Sequence, residues 1–120
     1  MRPIYSPWVW ETWSADGGAS WGATRPGPFA NYASSLLCTS SGALVMAGRM
    51  PGLGLHVSLD HGMTWRSYQI DTTIWACGTL YEVEPGVVLY VYMTDGKLRG
   101  QFIRITENGA EPARERLPGG

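Results

Sequence analysis

The segment Ser14-Ala-Asp-Gly-Gly-Ala-Ser-Trp21 returns in a similar form as Ser58-Leu-Asp-His-Gly-Met-Thr-Trp65, 44 residues further along the chain. Both segments fit the pattern S-x-D-x-G-x-[S/T]-W, so five positions agree twice within 120 residues. Similarity at a fixed spacing is typical of folds built from successive copies of one unit. The repeat therefore divides the chain into units of about 44 residues.

Each residue type in this pattern favours a tight hairpin turn. Asp16 or Asp60 can accept the backbone N–H two residues further on, which closes an Asx turn. The glycine two residues after the aspartate tolerates the positive φ that the turn needs, and the flanking hydroxyls can bond across its mouth. The tryptophan is expected to begin the returning strand and to offer an apolar face. The residues assigned to the two turns are Ser14, Asp16, Gly18, Ser20 and Trp21, and Ser58, Asp60, Gly62, Thr64 and Trp65.

The pattern is that of the Asp-box, or bacterial neuraminidase repeat, and through it the chain resembles the sialidase-like β-propeller family. In that family the box caps the hairpin between the third and fourth strands of a four-stranded blade, away from the active site. The composition also favours an all-β fold, since 16 Gly and 8 Pro separate clusters of aromatic and β-branched residues. The alternative is an ordinary Asp-Gly hairpin that occurs twice.

With the two boxes marking the turn between the third and fourth strands, the chain is predicted to form about two and a half to three four-stranded antiparallel blades. A half blade covers about 1–30, with strands near 8–13 and 21–25, and full blades cover about 31–72 and 73–117. The predicted strands of the full blades lie near 34–39, 43–49, 55–58 and 64–70, and near 78–83, 87–93 and 98–106, with a degenerate box at 107–109.

Fewer than three blades cannot close a ring, because closed propellers have four to eight. An open arrangement would leave bare edge strands and apolar faces. We therefore expect either further sequence or a homo-oligomer that completes the ring, with five to six blades in a dimer and about eight in a trimer. The half blade favours strand exchange between chains, because its missing inner strands must come from elsewhere.

The charge balance argues against some partners. Nine basic and ten acidic residues give a net charge of −1, and Lys97 is the only lysine, which argues against a nucleic-acid partner. The sequence shows no apolar run long enough for a bilayer and no apolar segment typical of a signal peptide, so no membrane contact is expected and the compartment stays open. Cys38 and Cys77 lack the spacing of a zinc site and are expected to be buried, and neither a metal nor a cofactor is predicted.

A ligand site is expected at the blade edge opposite the box turns, where propellers usually bind their ligands. The alternation of connections brings loops there that carry Arg49 and Asp95, and inter-blade crossings that carry Tyr32 and Trp75. These four residues are the predicted ligand-binding set.

The family resemblance implies a chemistry for that edge. Sialidases bind a substrate carboxylate through arginines, whose planar guanidinium suits it, and they use a tyrosine–glutamate pair and an acid/base aspartate. Arg49 is similar in sequence context to a carboxylate-binding arginine, with Tyr32 and Asp95 as further catalytic candidates, although a solvated Arg49 or one paired with Asp95 fits equally well.

The complete catalytic set is not found in this sequence, so enzymatic activity stays open. The leading expectation is a module that binds a carbohydrate or another anionic small ligand on the face carrying Arg49. The alternatives are a glycoside hydrolase of the exo-sialidase type completed by other blades, and a non-catalytic protein-interaction propeller.

Overall fold

The computed structural model describes residues 8–30, 35–48, 53–71, 78–94 and 96–113. These residues form ten β-strands, and every strand pairing is antiparallel, which confirms the predicted all-β class. Within these ranges there is no helix with the length and apolar character needed to cross a membrane. The chain divides into two compact units, Met1–Asn31 and Tyr32–Gly120.

The N-terminal unit contains a two-stranded sheet of β1 (Trp8–Glu11) and β2 (Arg25–Ala30). Glu11 and Arg25 are register partners, and their side chains form an ion pair of 3.0 Å. The expected strand at 21–25 is therefore wrong. Gly22 N does donate to Trp13 O at 2.9 Å, but β2 begins only at Arg25. The register irregularity of this pair lies farther along, between Trp8 and Trp10, which pair with Ala30 and Pro26.

The second unit contains two four-stranded sheets, as the repeat predicts. Each connects its strands as successive antiparallel hairpins, so sequence neighbours are also neighbours in the sheet. The first sheet has the order β3 (Ser35–Cys38), β4 (Leu44–Gly48), β5 (Leu53–Ser58) and β6 (Arg66–Asp71). The second sheet has the order β7 (Gly78–Glu84), β8 (Val87–Thr94), β9 (Lys97–Thr106) and β10 (Gly109–Pro112).

The starts of two strands and the exposure of one cysteine differ from what the sequence predicts. β5 begins at Leu53 rather than near residue 55, and β6 begins at Arg66 because Thr64 and Trp65 belong to the turn. Cys38 is exposed rather than buried, since its side chain alternates away from the side of β3 on which Leu37 packs against the core.

The two sheets pack on each other through a shared apolar core. Side chains that alternate toward the core include Val45 and Leu55 in the first sheet and Val88 and Tyr90 in the second, all fully buried. Tyr90 also crosses the core with its hydroxyl, which donates to Gly54 O at 2.9 Å. The interface therefore combines apolar burial with a directional bond that fixes the two sheets in one position.

The two sheets are stacked in the same sense, like successive copies rather than mirror halves. Gly42 and Gly86, which are 44 residues apart, both have positive φ, 93° and 80°, at the turn before the second strand of each sheet. Counting from these glycines, the core residue Val45 is equivalent to Leu89. Leu89 lies on the face of the second sheet that points away from the core, because its neighbours Val88 and Tyr90 point inward. Equivalent faces are therefore not paired with each other.

Hydrogen bonds between turns reinforce this stacking. Ser40 N and Gly86 N both donate to the carboxylate of Glu82, at 2.8 and 3.0 Å, which ties the first turn of one sheet to the first turn of the other. These bonds, led by that from Gly86, lower the pKa of Glu82. At the same edge Arg66 Nη1 donates to Asn108 O, so the later turns of the two sheets are joined as well.

Candidate functional site

The first repeated turn is held by side chains that accept backbone N–H groups. Ser14 Oγ accepts from Gly18 N at 2.8 Å, and Asp16 Oδ1 accepts from Ser20 N at 2.9 Å. The Ser14 and Ser20 hydroxyls both donate to the Asp16 carboxylate. The aspartate thus bonds to the residue four positions on, where two were expected. The serine hydroxyl lies closer to the N–H groups inside the turn and accepts from them instead.

The second turn repeats this pattern bond for bond. Ser58 Oγ accepts from Gly62 N at 2.7 Å, and Asp60 Oδ1 accepts from Thr64 N at 2.8 Å. The Thr64 hydroxyl donates to Asp60 Oδ2 at 2.5 Å. The two segments therefore share a three-dimensional structure as well as a sequence pattern.

The predicted backbone geometry of the two turns is confirmed at the glycines. Gly18 and Gly62 have φ of 97° and 87°, in the region where a Cβ atom is disfavoured. The bonds to Asp16 and Asp60, chiefly from Ser20 and Thr64, lower the pKa of both carboxyls to about 2. Both turns thus depend on an ionised aspartate.

The expectation for the tryptophans is corrected. Trp21 is 61% exposed and lies outside the strands. Trp65 is half-buried and also precedes its strand, because its indole N–H folds back to donate to Gly62 O at 3.2 Å. Neither tryptophan begins the returning strand, and Trp65 instead closes its turn.

The opposite edge of the two sheets carries a polar cluster built around Asp71. β4 ends at Gly48, β5 begins at Leu53 and β6 ends at Asp71 on this side, which we call the Asp71 edge. Tyr92 from β8 donates its hydroxyl proton to Asp71 Oδ2 at 2.8 Å, and Arg99 from β9 places Nη1 at 3.7 Å from the same oxygen. Residues of both sheets therefore meet here.

The Tyr92 hydroxyl is the centre of this cluster. It also accepts a hydrogen bond from Gln101 Nε2 at 3.0 Å, and Gln101 in turn donates to Ile70 O at 3.3 Å. Burial, together with the neighbouring Asp71 carboxylate, raises the pKa of Tyr92, so the hydroxyl stays protonated and acts as a donor. The Tyr92 hydroxyl thus joins the two sheets through Asp71.

Arg99 is the member of the cluster best able to meet a ligand. Its side chain is 51% exposed, whereas Tyr92 is 2% exposed. Its ion pair with Asp71 spans 3.7 Å, which is longer than a direct hydrogen bond. Gln101 of the cluster also lines a pocket of about 220 Å³ between β6, β9 and β10, whose lining includes Ile70 and Glu111 but not Arg99. A half-exposed guanidinium can bind a carboxylate or another oxyanion.

The four predicted ligand-binding residues, Arg49, Tyr32, Trp75 and Asp95, lie outside the described residues. Two of them follow elements that end at the Asp71 edge, since Arg49 comes directly after β4 and Asp95 directly after β8. The sequence alone does not assign Asp71, Tyr92, Arg99 and Gln101 to a site. The alternation of side chains along β8 could have indicated Tyr92, because it places Tyr92 on the same inward face as Tyr90.

Among the described residues, no group of three His, Cys, Asp or Glu side chains is placed to hold a metal ion. His56 and Asp60, two members of a conceivable trio with His61, have other partners. His56 Nδ1 is 2.7 Å from Ser67 Oγ, and Asp60 is engaged by its turn. Burial lowers the pKa of His56, which favours the neutral ring.

Comparisons of the chain with models of known protein families, with curated proteins and with solved structures gave no significant match.

Proposed function

We propose that this chain is a module of the sialidase-like Asp-box propeller type that binds a carbohydrate or another anionic small ligand at the Asp71 edge. Arg49, one residue beyond the end of β4, and Arg99 are the proposed anion-binding groups. The ring would be completed by further copies of the chain or by further sequence.

The propeller part of the proposal is supported by the sense in which the two sheets stack. A propeller repeats one blade-to-blade contact around an axis, which requires that non-equivalent faces meet. The pairing of the Val45 face with the Val88 face meets this requirement, because Val45 is equivalent to Leu89 on the opposite side of the second sheet. The two turns share one hydrogen-bonding pattern 44 residues apart, and the second joins β5 and β6, where the proposed blade has its corner.

The ligand part rests on one observation, the half-exposed Arg99 guanidinium at the edge opposite the repeated turn of the first sheet, in a cluster whose Gln101 also lines a pocket. A carboxylate can be bound by two parallel N–H···O bonds from a guanidinium, and sugar hydroxyls can bond to Gln101 or Asp71. An acidic sugar is therefore the ligand class that this edge suits best.

Calorimetric titration with N-acetylneuraminic acid tests the proposal. We expect saturable binding that Arg99→Gln weakens at least tenfold and that Arg49→Gln also weakens. Arg66→Gln is the matched control, because Arg66 is an exposed arginine at the other edge of the sheets. No saturation with any acidic sugar, or equal losses in the Arg99 and Arg66 variants, would contradict the proposal.

The alternatives give different results in parallel assays. Release of the fluorophore from a fluorogenic sialoside, abolished by Arg49→Gln, would favour a glycoside hydrolase completed by other blades. Capture of a protein partner without any glycan binding would favour a non-catalytic interaction propeller. Binding without hydrolysis is the result that the proposal expects.

A further inference from the structure

The second sheet has an apolar face that points away from the core. Side chains at alternate positions of β7, β8 and β9 share this face, because register partners lie on the same side of an antiparallel sheet. Tyr81 pairs with Leu89 and Leu89 with Phe102, while Met93 pairs with Leu98. We call this surface the outer face. Its apolar side chains are Tyr81, Leu89, Val91, Met93, Leu98 and Phe102, and Thr79, Gly100 and Arg104 lie on the same side.

Much of the outer face is open to solvent. Tyr81 is 55% exposed, Met93 56% and Leu98 71%. Exposed large apolar residues are ordinary when they are scattered. Here Met93 and Leu98 are adjacent register partners, and the half-buried Leu89 and Val91 connect them to Tyr81. Such a surface in a folded chain usually marks an interface.

The internal repeat indicates what covers this face. Val45 and Ala47 of the first sheet are buried by the second sheet, and their equivalents on the second sheet, 44 residues later, are Leu89 and Val91 of the outer face. The outer face is thus the counterpart of a surface that this chain already buries against a copy of its own repeat. When each sheet contacts the next one through non-equivalent faces, the last sheet of a chain is left with one face that no further sheet of that chain covers.

We propose that the outer face binds a second copy of this chain, stacked in the same sense as the second sheet is stacked on the first. The contact is heterologous, so successive copies continue it until the ring closes. This inference rests on the propeller part of the proposed function and is independent of its ligand site. The outer-face residues are distinct from Arg99, which points to the inward side with Tyr92, its register partner.

Mass measurement with two methionine variants tests this proposal. Met93→Lys places a charge on the outer face, and Met63→Lys makes the same substitution at a residue that is 81% exposed in the second repeated turn. By light scattering on the full chain we expect a dimer or trimer for the wild type and for Met63→Lys, and a monomer for Met93→Lys. Leu98→Lys, at another exposed outer-face position, should also give a monomer.

Several results would overturn the proposal. A monomeric wild type at every concentration would mean that another polypeptide covers the face or that none does. Full assembly of both outer-face variants would place the interface elsewhere, as would dissociation of Met63→Lys. Circular dichroism checks that each variant is folded. Arg99→Gln should keep the wild-type mass, so a failure of ligand binding and a failure of assembly can be told apart.

Discussion

The carboxylates of Asp16 and Asp60 each accept a backbone N–H and a hydroxyl from the residue four positions on. One aspartate therefore replaces the several bonds that a short turn cannot make with its own backbone. The hydroxyl of the serine two positions earlier completes the network. This explains why serine, aspartate, glycine and a second hydroxyl recur together, since each supplies a bond or a φ value that the others cannot.

We predict that acid destabilises the chain through these two residues. Their pKa is about 2 in the fold, against an ordinary 3.8, so the folded state binds the proton less tightly than the unfolded state. The stability they provide is complete above about pH 4 and is lost as the pH falls toward 2. Asp60→Asn should be less stable than the wild type at pH 7, and its stability should fall less steeply between pH 4 and pH 2.

Urea unfolding at a series of pH values measures this difference. Glu107→Gln is the control, because it removes an exposed turn carboxylate of the same unit. A wild-type pH slope in Asp60→Asn, or an equal change in both variants, would show that the turn does not depend on the ionised aspartate.

At the scale of the strands, a glycine of β7 leaves room for a large side chain of its neighbour β8 in the same sheet. Gly78 begins β7, and a Cβ atom at this position would overlap the ring of Tyr90. The ring cannot move aside, because it is fully buried and its hydroxyl is bound to Gly54 O. The close contact therefore requires glycine at position 78 even though its φ lies outside the positive region.

Gly78→Ala should consequently lower the free energy of unfolding by about 1–3 kcal/mol, the usual cost of overpacking a core. Gly100→Ala is the matched control on an exposed position of β9, where the added carbon would lie 3.3 Å from Leu89 Cδ1, the end of a flexible side chain. We expect a change of about 0.5 kcal/mol or less there. Chemical denaturation of both variants checks the prediction, and equal losses would refute it.

The strand pattern of the second unit was predictable because its breakers are local. Gly42, Gly86, Gly96 and Gly109 all have positive φ and mark hairpin turns that separate runs of β-branched and aromatic residues. The N-terminal unit was less predictable, since the register irregularity between Trp8 and Trp10 depends on pairing across the hairpin. Residue preferences along the sequence thus predict where strands occur, whereas cross-strand pairing determines at which residues they begin and end.

The polar cluster was not predictable from local sequence. Asp71 and Tyr92 belong to different sheets, and their contact exists because Tyr92 points into the interface at the level where β6 ends. The sequence predicts that the loops carrying Arg49 and Asp95 lie at this edge, but it does not predict which strand residues meet there. That information lies in the stacking of the sheets.

For the whole molecule, the stacking implies that stability and assembly are linked. Each sheet buries one face against its neighbour, and the outer face of the second sheet remains exposed on a single chain. A second copy that covers it binds the folded state and not the unfolded chain, which stabilises the fold by mass action.

We therefore expect the wild-type melting temperature to rise by a few degrees for each tenfold increase in protein concentration. Met93→Lys should melt at a temperature independent of concentration, because its charge would be desolvated in the contact. Met63→Lys, which leaves the outer face unchanged, should follow the wild type. Differential scanning calorimetry over a hundredfold range of concentration measures the three slopes. If the wild-type slope is zero, the outer face does not bind a second copy, because an assembly that forms only from folded chains cannot melt independently of their concentration.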